Sequence, residues 1–354
     1  MDKLRIDSHK LMYHIPRLYQ WYKGKEIYPI YIEIGLYGGC NHRCVFCAFD
    51  FLKYKPQVLD IKCVNKFIVE AAKKEVKAIL FSGEGEPLLH NKIAEIICFT
   101  KKKGIDVALS TNGVKLDKEK LNKILGHLTW IRVSLNAGTR NSYASIHGTE
   151  RKDFDTVINN LKEAVKIKNK HKHDCTIGVQ SLLMPQNYKE IPSLALRLKN
   201  IGVDYLVIKP YSQHFSSKNS FSFAFKPKEL CRLEEDLVKC SDDNFKIIFR
   251  NQAIKKIKED KPYEYCLGLS FATHITAEGD IYPCNAFIGN KKFIFGNIYN
   301  ESFKDIWEGK RRKTVMKMLH DKWDVNKCRK SCRIDEINRY LWELKNPNKH
   351  INFI

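Results

Sequence analysis

The chain has 354 residues, and 44% of them are hydrophobic, which is enough for a folded core and excludes an intrinsically disordered protein. Its 62 Lys and Arg against 40 Asp and Glu give a formal net charge of +22. Because 48 of the basic residues are Lys and only 14 are Arg, we attribute most of this charge to solvated helix surfaces. A dedicated nucleic-acid-binding protein is therefore disfavoured, while an anionic small substrate is compatible with the charge.

Membrane and secretory segments are not expected. The sequence has no run of 18 apolar residues, and its first twenty residues lack the apolar region of a signal peptide. We therefore expect a cytoplasmic protein with no membrane span. Thiols stay reduced in the cytoplasm, so the 12 Cys are expected to act as metal ligands or catalytic thiols rather than as disulfides.

Short β-branched runs alternate with amphipathic helical stretches between residues 28 and 211. The predicted strands are Pro29–Leu36, Ala78–Ser82, Val107–Thr111, Trp130–Leu135, Cys175–Leu183 and Tyr205–Lys209. The predicted helices are Cys63–Lys74, Asn91–Lys103, Lys118–Leu125, Phe154–Lys170 and Tyr188–Asn200. This alternation, at about 30 residues per unit, predicts parallel strands with right-handed crossovers. We therefore expect the α/β class and a partial (β/α)6, TIM-like barrel.

The remaining segments are less regular. Residues 1–27 form a predicted N-terminal extension to the core of 28–211, and residues 212–262 a linker with a helix at Lys228–Lys239 and a strand at Phe245–Phe249. Residues 263–333 are irregular and Cys-spaced, and 334–354 form a tail that begins with a helix. Within the Cys-spaced region, Thr273–Cys284 is predicted to be a hairpin that turns at Glu278–Asp280.

A first cysteine motif follows the first strand. Cys40, Cys44 and Cys47 are spaced C-x3-C-x2-C. Three thiolates from one short loop can hold three corners of a cubane iron–sulfur cluster, which leaves one iron open for a substrate or cofactor. The alternatives are a zinc site with His42 as fourth ligand, or three Cys that bind no metal.

A second group of four cysteines lies near the C-terminus, at Cys266, Cys284, Cys328 and Cys332. Four ligands saturate a cluster and leave no open iron, although a zinc site or unliganded thiols would fit the same residues. Five cysteines stay outside both groups. Cys63 and Cys98 lie on helix patterns and are expected to pack in the core, whereas Cys175, Cys231 and Cys240 could include a thiol hydrogen donor.

With these motifs the sequence resembles the radical S-adenosylmethionine (SAM) superfamily from about Tyr31 to Ser212. The second group is similar to the short, four-cysteine (twitch/SPASM-like) auxiliary-cluster domain of many such enzymes. The resemblance implies an enzyme with SAM and two 4Fe–4S clusters as cofactors. It would reductively cleave SAM to a 5′-deoxyadenosyl radical that abstracts a substrate hydrogen, with a reductant such as flavodoxin or ferredoxin.

The resemblance also implies roles for particular residues. Phe46 would pack on the adenine ring. The turn after the second strand would bind the methionine amino group, with Glu84 in the place of the usual first Gly; its residues are Glu84, Gly85, Glu86 and Pro87. Polar residues at the ends of the next strands would touch the cofactor or substrate (Ser110, Asn112), the ribose (Ser134, Asn136) and the methionine carboxylate (Gln180, Ser181). The end of the sixth strand, with Lys209, Tyr211, Gln213 and His214, would line the substrate pocket.

The second cluster bears on the net reaction. A saturated cluster near the substrate can accept the electron released by a substrate radical, which favours dehydrogenation of a sugar, aminocyclitol or similar polar metabolite. The alternatives are a peptide- or protein-modifying maturase, a sugar epimerase with a Cys hydrogen donor, and a non-enzymatic iron–sulfur or zinc protein. No substrate-side base is assigned by the sequence.

Overall fold

The computed structural model describes residues 4–220 and 225–353. Its strands are β1 (Tyr31–Ile34), β2 (Ala78–Phe81), β3 (Asp106–Thr111), β4 (Trp130–Ser134), β5 (Thr176–Leu183), β6 (Tyr205–Pro210), β7 (Lys246–Phe249), β8 (Ala272–Ile275), β9 (Asp280–Tyr282) and β10 (Gly296–Asn297). They form one sheet in the order β10-β9-β8-β1-β2-β3-β4-β5-β6-β7.

The α-helices of the described residues cover the sheet and lie at both ends of the chain. They are α1 (Ile15–Tyr22), α2 (Ile61–Lys73), α3 (Ile93–Lys102), α4 (Lys118–Ile124), α5 (Arg140–His147), α6 (Lys152–His171), α7 (Ile191–Ile201), α8 (Pro227–Val238), α9 (Asn251–Lys255), α10 (Phe303–Glu308), α11 (Lys310–Lys322) and α12 (Asp335–Lys345). None of the described helices is long and apolar enough to cross a membrane.

The parallel α/β architecture confirms the predicted fold class. Strands β1 to β6 pair in parallel, one after the next, as the alternation predicted. Strand β7, from the segment predicted as a linker, adds to β6 in parallel. The boundaries predicted between the five segments stay predictions, although the sheet runs across several of them without a break.

The C-terminal region joins the sheet at its other edge. Strand β8 pairs with β1 in parallel, and β9 returns beside β8 in the predicted hairpin. The turn of this hairpin needs a glycine, because Gly279 has a φ of +84°. The region that carries the second cysteine group is therefore built onto the first strand of the core.

Alternation along the strands gives the sheet two different faces. Ile32 and Ile34 of β1 are fully buried in the apolar layer between the sheet and the helices. Tyr31 and Glu33 point to the opposite face. Burial lowers the pKa of Arg132 on β4, and side chains of Tyr205 on β6 and Tyr31 on β1 act on it as well. Residues so far apart in the strand order come this close because the sheet curves around a polar concave face.

Candidate active site

The first cysteine loop lies at the carboxyl end of β1. Burial raises the pKa of the Cys44 thiol well above its usual value, and the charges of Cys40 and Cys47 raise it further. Burial likewise raises the pKa of Cys40, to about 11. The three sulfurs are thus within electrostatic reach of one another and carry protons when no metal is present. Such a thiol group fits an iron–sulfur cluster, which would hold all three as thiolates.

A histidine that the sequence did not single out lies against this loop. Helix α5 begins with a capping box between Thr139 and Ser142 and ends at the buried His147. The Nδ1 atom of His147 is 3.6 Å from Cys44 Sγ, while its Nε2 accepts a hydrogen bond from the Asn136 backbone N–H at 3.1 Å. That acceptor role leaves the ring proton on Nδ1, so His147 donates to the sulfur.

His42, the fourth ligand of the zinc alternative, is buried beside the same thiol. Ligand atoms of His42, Cys44 and His147 lie within 4.8 Å of one another. The His42 Nε2 is 3.6 Å from an oxygen of Asp153, and burial lowers the pKa of His42 to about 4. Its ring is therefore neutral and packed edge-on to His147 at 5.5 Å. Sequence motifs did not point to His147, because α5 has a weak hydrophobic pattern.

The turn after β2 packs directly on the cysteine loop. A Cβ atom on Gly85 would lie 2.1 Å from the Tyr37 carbonyl oxygen and 2.3 Å from that of Gly39. The next residue, Glu86, donates its backbone N–H to the Gly39 oxygen at 2.8 Å. Only glycine permits this approach, so the turn and the loop form one unit in which the turn's backbone lies beside the cluster site.

The Glu86 side chain has a structural task in this unit. Its carboxylate is buried and accepts hydrogen bonds from Leu88 N at 3.0 Å, Thr111 Oγ1 at 2.6 Å and Asn112 N at 2.8 Å. Asn112 in turn donates from Nδ2 to Asn41 Oδ1 in the cysteine loop, at 2.8 Å. Both carboxylate oxygens thus fasten the turn to the end of β3, which leaves only the backbone of the turn for the methionine contact that the resemblance predicts.

Glu84, which replaces the family's usual glycine, points the other way. Its Oε1 accepts from Ala277 N at 2.7 Å, and its Oε2 is 3.5 Å from His274 Nε2 on β8. Space for the carboxylate comes from Gly35, where a Cβ would lie 2.3 Å from Glu84 Oε2. The substitution therefore ties this turn to the hairpin of the second-cluster region.

His274 lies buried between two carboxylates. Its Nδ1 is 3.9 Å from Glu33, opposite the contact with Glu84. Burial disfavours the charged ring, but the two carboxylates outweigh it and raise the pKa of His274 to about 9. Burial also opposes ionisation of Glu33, yet the Arg333 guanidinium at 2.6 Å and His274 hold the pKa of Glu33 below its usual value.

The structure separates the polar residues predicted at the strand ends. Ser110, Ser134 and Gln180 are half-buried on the concave face, where they can meet a ligand. Ser181 follows Gln180 on β5 and so points to the helix side, where it is fully buried and its Oγ has no hydrogen-bond partner among the described residues. Asn136 is also fully buried.

The side-chain amide of Asn136 is hydrogen-bonded within the protein. Its Oδ1 accepts from Leu182 N at 2.6 Å, and its Nδ2 lies 3.3 Å from Ser134 Oγ. It joins the ends of β4 and β5 and exposes no atom to a ribose. Phe46, predicted to pack on adenine, is half-buried and lies edge-on to His147 at 5.4 Å.

The four C-terminal cysteines also come together. Burial raises the pKa of Cys266 to about 12, and the charges of Cys332 and Cys328 add to it. Burial and the charges of Cys332 and Cys266 raise the pKa of Cys284 well above its usual value. Asn338 donates from Nδ2 to Cys266 Sγ at 3.2 Å. Four thiols in one buried group fit a fully ligated second cluster.

The loop after β6 joins the two cysteine groups. Ser217 Oγ and Asn219 Nδ2 donate to the Cys47 carbonyl at 3.2 and 3.1 Å. At the other end, Ser212 O accepts from Arg329 Nε at 3.2 Å, within the segment between Cys328 and Cys332. The sequence predicted this stretch as part of a linker, whereas the structure uses it to hold the two ligand loops together.

His214 belongs to the packing of this loop. It is buried, stacks on Phe51 at 5.3 Å and on Phe215 at 4.7 Å, and burial lowers its pKa to about 4. Among the sequence-proposed pocket residues at the end of β6, Lys209 alone projects from the strand itself onto the concave face, where it is half-buried.

Comparison with known proteins agrees with both cysteine groups. Residues 34–198 match the family model of the radical SAM superfamily, and residues 266–333 match that of SPASM, an iron–sulfur cluster-binding domain. The tungsten-containing aldehyde ferredoxin oxidoreductase cofactor-modifying protein of Pyrococcus furiosus is 24% identical over 79% of this chain and 81% of its own length. The GTP 3′,8-cyclase of Chlorobaculum tepidum is 30% identical, but over 52% of this chain and 55% of the cyclase.

Solved structures show the same fold. SuiB of Streptococcus suis, bound to SAM, matches with a TM-score of 0.66 and 18% identity, over 86% of this chain and 72% of SuiB. SuiB bound to its precursor peptide SuiA gives a TM-score of 0.65. SAM and two 4Fe–4S clusters are the cofactors of this architecture, and the three and four thiols described above fit the two clusters. The chain thus belongs to the radical SAM superfamily and carries a C-terminal SPASM iron–sulfur domain.

Proposed function

We propose that the chain oxidises a small polar substrate held on the concave face of the sheet, between its two clusters. The supporting observation is that both ligand loops border this face. The first follows the carboxyl end of β1, and Arg333, directly after Cys332, reaches Glu33 on the concave side of the same strand. A substrate bound there would lie close to both cysteine groups.

Different residues would hold each cofactor in the proposed reaction. Cys40, Cys44 and Cys47 hold the first cluster, and the turn at Gly85 holds SAM against it. Bound together, these cofactors supply the 5′-deoxyadenosyl radical that takes a hydrogen atom from the substrate. A cluster held by the second cysteine group would accept one electron from the substrate, which would also give one proton to a base or to water. The net change is loss of two electrons and two protons from the substrate.

A small substrate is favoured by the polar lining of the concave face. Charged side chains of Glu33, Arg132, Lys209 and Arg333 point into it from strands and from the second ligand loop. The names of the two curated relatives refer to cofactor modification and to GTP, neither of which singles out a sugar or an aminocyclitol. SuiB, bound to a precursor peptide, motivates the second candidate, a peptide-modifying maturase.

The first experiment counts iron and follows SAM cleavage in anaerobically reconstituted protein. We expect about eight irons per chain and reductant-dependent formation of 5′-deoxyadenosine. Cys44→Ala should abolish the cleavage, while Cys332→Ala should lower iron to about four per chain. Cys231→Ala is the matched control, because Cys231 is exposed and lies outside both groups. Cleavage that persists in Cys44→Ala would contradict the proposal.

The second experiment separates oxidation from the alternatives. Incubation with a pool of polar metabolites should give one 5′-deoxyadenosine per oxidised product. Consumption of a precursor peptide, with no metabolite turned over, would favour the maturase. Uptake of solvent hydrogen without oxidation would favour the epimerase. We expect the protein to act in the cytoplasm, with flavodoxin or ferredoxin as the electron source.

A further inference from the structure

Basic side chains converge on the concave face with few carboxylates near them. Arg132 projects from β4 and Lys209 from β6, while Arg329 and Arg333 reach in from the second ligand loop. Burial lowers the pKa of Lys209 well below its usual value, and the positive charges of Arg132 and Arg329 lower it further. These groups therefore lie close enough to repel one another.

A glycine on the neighbouring strand β5 leaves room beside Arg132. Arg132 pairs in register with Gly178 on β5, and Gly178 pairs with Tyr205 on β6. A Cβ on Gly178 would lie 2.0 Å from the Tyr205 ring, so the missing side chain lets Tyr205 extend over β5 toward Arg132. On its other side the guanidinium lies 4.9 Å from the centre of the Trp130 ring. Arg132 Nε is buried and has no hydrogen-bond partner among residues 4–220 and 225–353.

The carboxylates do not balance these cations. Glu33 is paired with Arg333 at 2.6 Å, and its single charge also acts on Arg132 and Arg329. Within the described ranges, Arg132, Lys209 and Arg329 have no carboxylate oxygen within 4.0 Å. The thiolates of a bound cluster would offset part of the charge of Arg329, which lies between two ligands, but Arg132 and Lys209 stand on strands. Half-buried cations without a carboxylate partner are costly, so a site that keeps them is suited to an anion.

The group is also open to water. The Arg333 side chain is 44% exposed, even though burial is the largest influence on its pKa, and Arg132, Lys209 and Arg329 are half-buried. Side chains that are surrounded by protein and yet accessible line a cavity rather than a packed core. Arg guanidinium groups offer paired donors to an oxyanion, and Lys adds a point charge.

We propose that Arg132, Lys209 and Arg329 bind an oxyanion group of the substrate, a phosphoryl or carboxylate group, and so position its carbon skeleton between the clusters. This inference rests on the proposed function, since it names the substrate class for the same concave face. It excludes neutral sugars and cationic aminocyclitols as the preferred substrates. It also gives a local role to part of the positive charge, most of which the composition assigns to the surface.

The test measures anion binding to the anaerobically reconstituted holoprotein by titration calorimetry. Glucose 6-phosphate and glutarate are the phosphoryl and carboxylate probes, and glucose is the neutral control. We expect saturable binding of one anionic probe, weakened roughly ten- to hundredfold in Lys209→Met and in Arg132→Gln. Lys166→Met, on the outer face of α6, should bind as the wild type does. The probe that binds more tightly identifies the oxyanion.

Thermal unfolding provides a second readout, whose expected result differs from that of a Lys209 side chain with a purely structural role. Because Lys209 is repelled by its neighbours, Lys209→Met should raise the melting temperature without anion and lose the further rise that the anion causes in the wild type. Absence of saturable binding, or equal affinity in wild type and variants, would overturn the inference. SAM cleavage in the same preparations keeps the two proposals apart: cleavage without anion binding refutes only the oxyanion site, and binding without cleavage refutes the proposed function.

Discussion

The buried histidine between two carboxylates makes stability depend on pH in a defined direction. His274 has its pKa raised from 6.5 to about 9 because Glu33 and Glu84 favour the charged ring. A group whose pKa is higher in the folded state contributes stability that is fully present below pH 6.5. That contribution is lost as the pH rises through 9. We therefore expect the link between the Glu84–Pro87 turn and β8 to weaken in mild alkali.

The size of the effect follows from the two pKa values. At pH 7 the folded protein keeps the ring charged while the unfolded chain has largely lost the proton, which is worth roughly 2–3 kcal/mol. By pH 9.5 the contribution falls to a few tenths of a kcal/mol, by roughly the same calculation. For a chain of 354 residues, the lost free energy corresponds to about 3 °C in melting temperature.

The assay compares thermal unfolding of wild-type and His274→Gln holoprotein at pH 7 and pH 9.5. Because groups remote from His274 titrate equally in both proteins, the gap between their melting temperatures reports on His274 and the two carboxylates beside it. We expect that gap to narrow by about 3 °C at the higher pH. His171→Gln, an exposed site on α6, is the matched control and should show no such change. An equal gap at both pH values would refute the assignment of a charged His274.

Three further predictions concern the first ligand loop, the second cluster and the contact between the ends of β4 and β5. Gly85→Ala should displace the first loop and lower its iron content and SAM affinity, at a cost of about 1–3 kcal/mol, whereas Gly126→Ala, whose Cβ would meet only a His side chain, should leave both unchanged. Asn338→Leu removes the N–H···S bond to Cys266, so potentiometric titration monitored by electron paramagnetic resonance should give a more negative potential for the second cluster. Asn136→Ala leaves buried strand-end groups unpaired and should lower stability by about 1–3 kcal/mol in thermal unfolding, and unchanged stability would contradict its joining role.

Features that are local in sequence could be predicted well. The spacing of Cys40, Cys44 and Cys47 places three ligands in one loop whatever the rest of the chain does. Strands β1 to β6 were predicted within a few residues, because buried parallel strands are short β-branched runs flanked by amphipathic helices. The β8–β9 hairpin followed from its turn residues alone.

Side-chain orientation beyond the strand ends was harder to predict. Ser134 and Asn136 were both expected to touch the ribose, but β4 ends at Ser134, after which strict alternation of side chains no longer applies. Alternation along β5 does hold, and it places Gln180 and Ser181 on opposite faces. The carboxylate of Glu86 could not be assigned, because its partners come from the separate strand β3.

The contacts between distant segments lie beyond what spacing can indicate. Arg132 and Lys209 approach each other only because the sheet curves, and nothing in either strand encodes that curvature. Pairing of β8 with β1 joins residues more than 230 positions apart, at Tyr31 and Ala272. The replacement of a glycine by Glu84 became explicable only when Gly35 and Ala277 were found beside its carboxylate.

Because β8 pairs with β1, removal of the C-terminal region would leave an edge of the core sheet uncovered. A shortened chain that ends before residue 263 would expose the backbone N–H and C=O groups of β1 along an open edge, next to the loop that carries Cys40. Such an edge invites strand addition from another chain, so a truncated core is expected to aggregate rather than persist as a one-cluster enzyme. The second-cluster region thus covers the edge of the strand from which the first ligand loop begins, so the two regions are expected to fold as one unit.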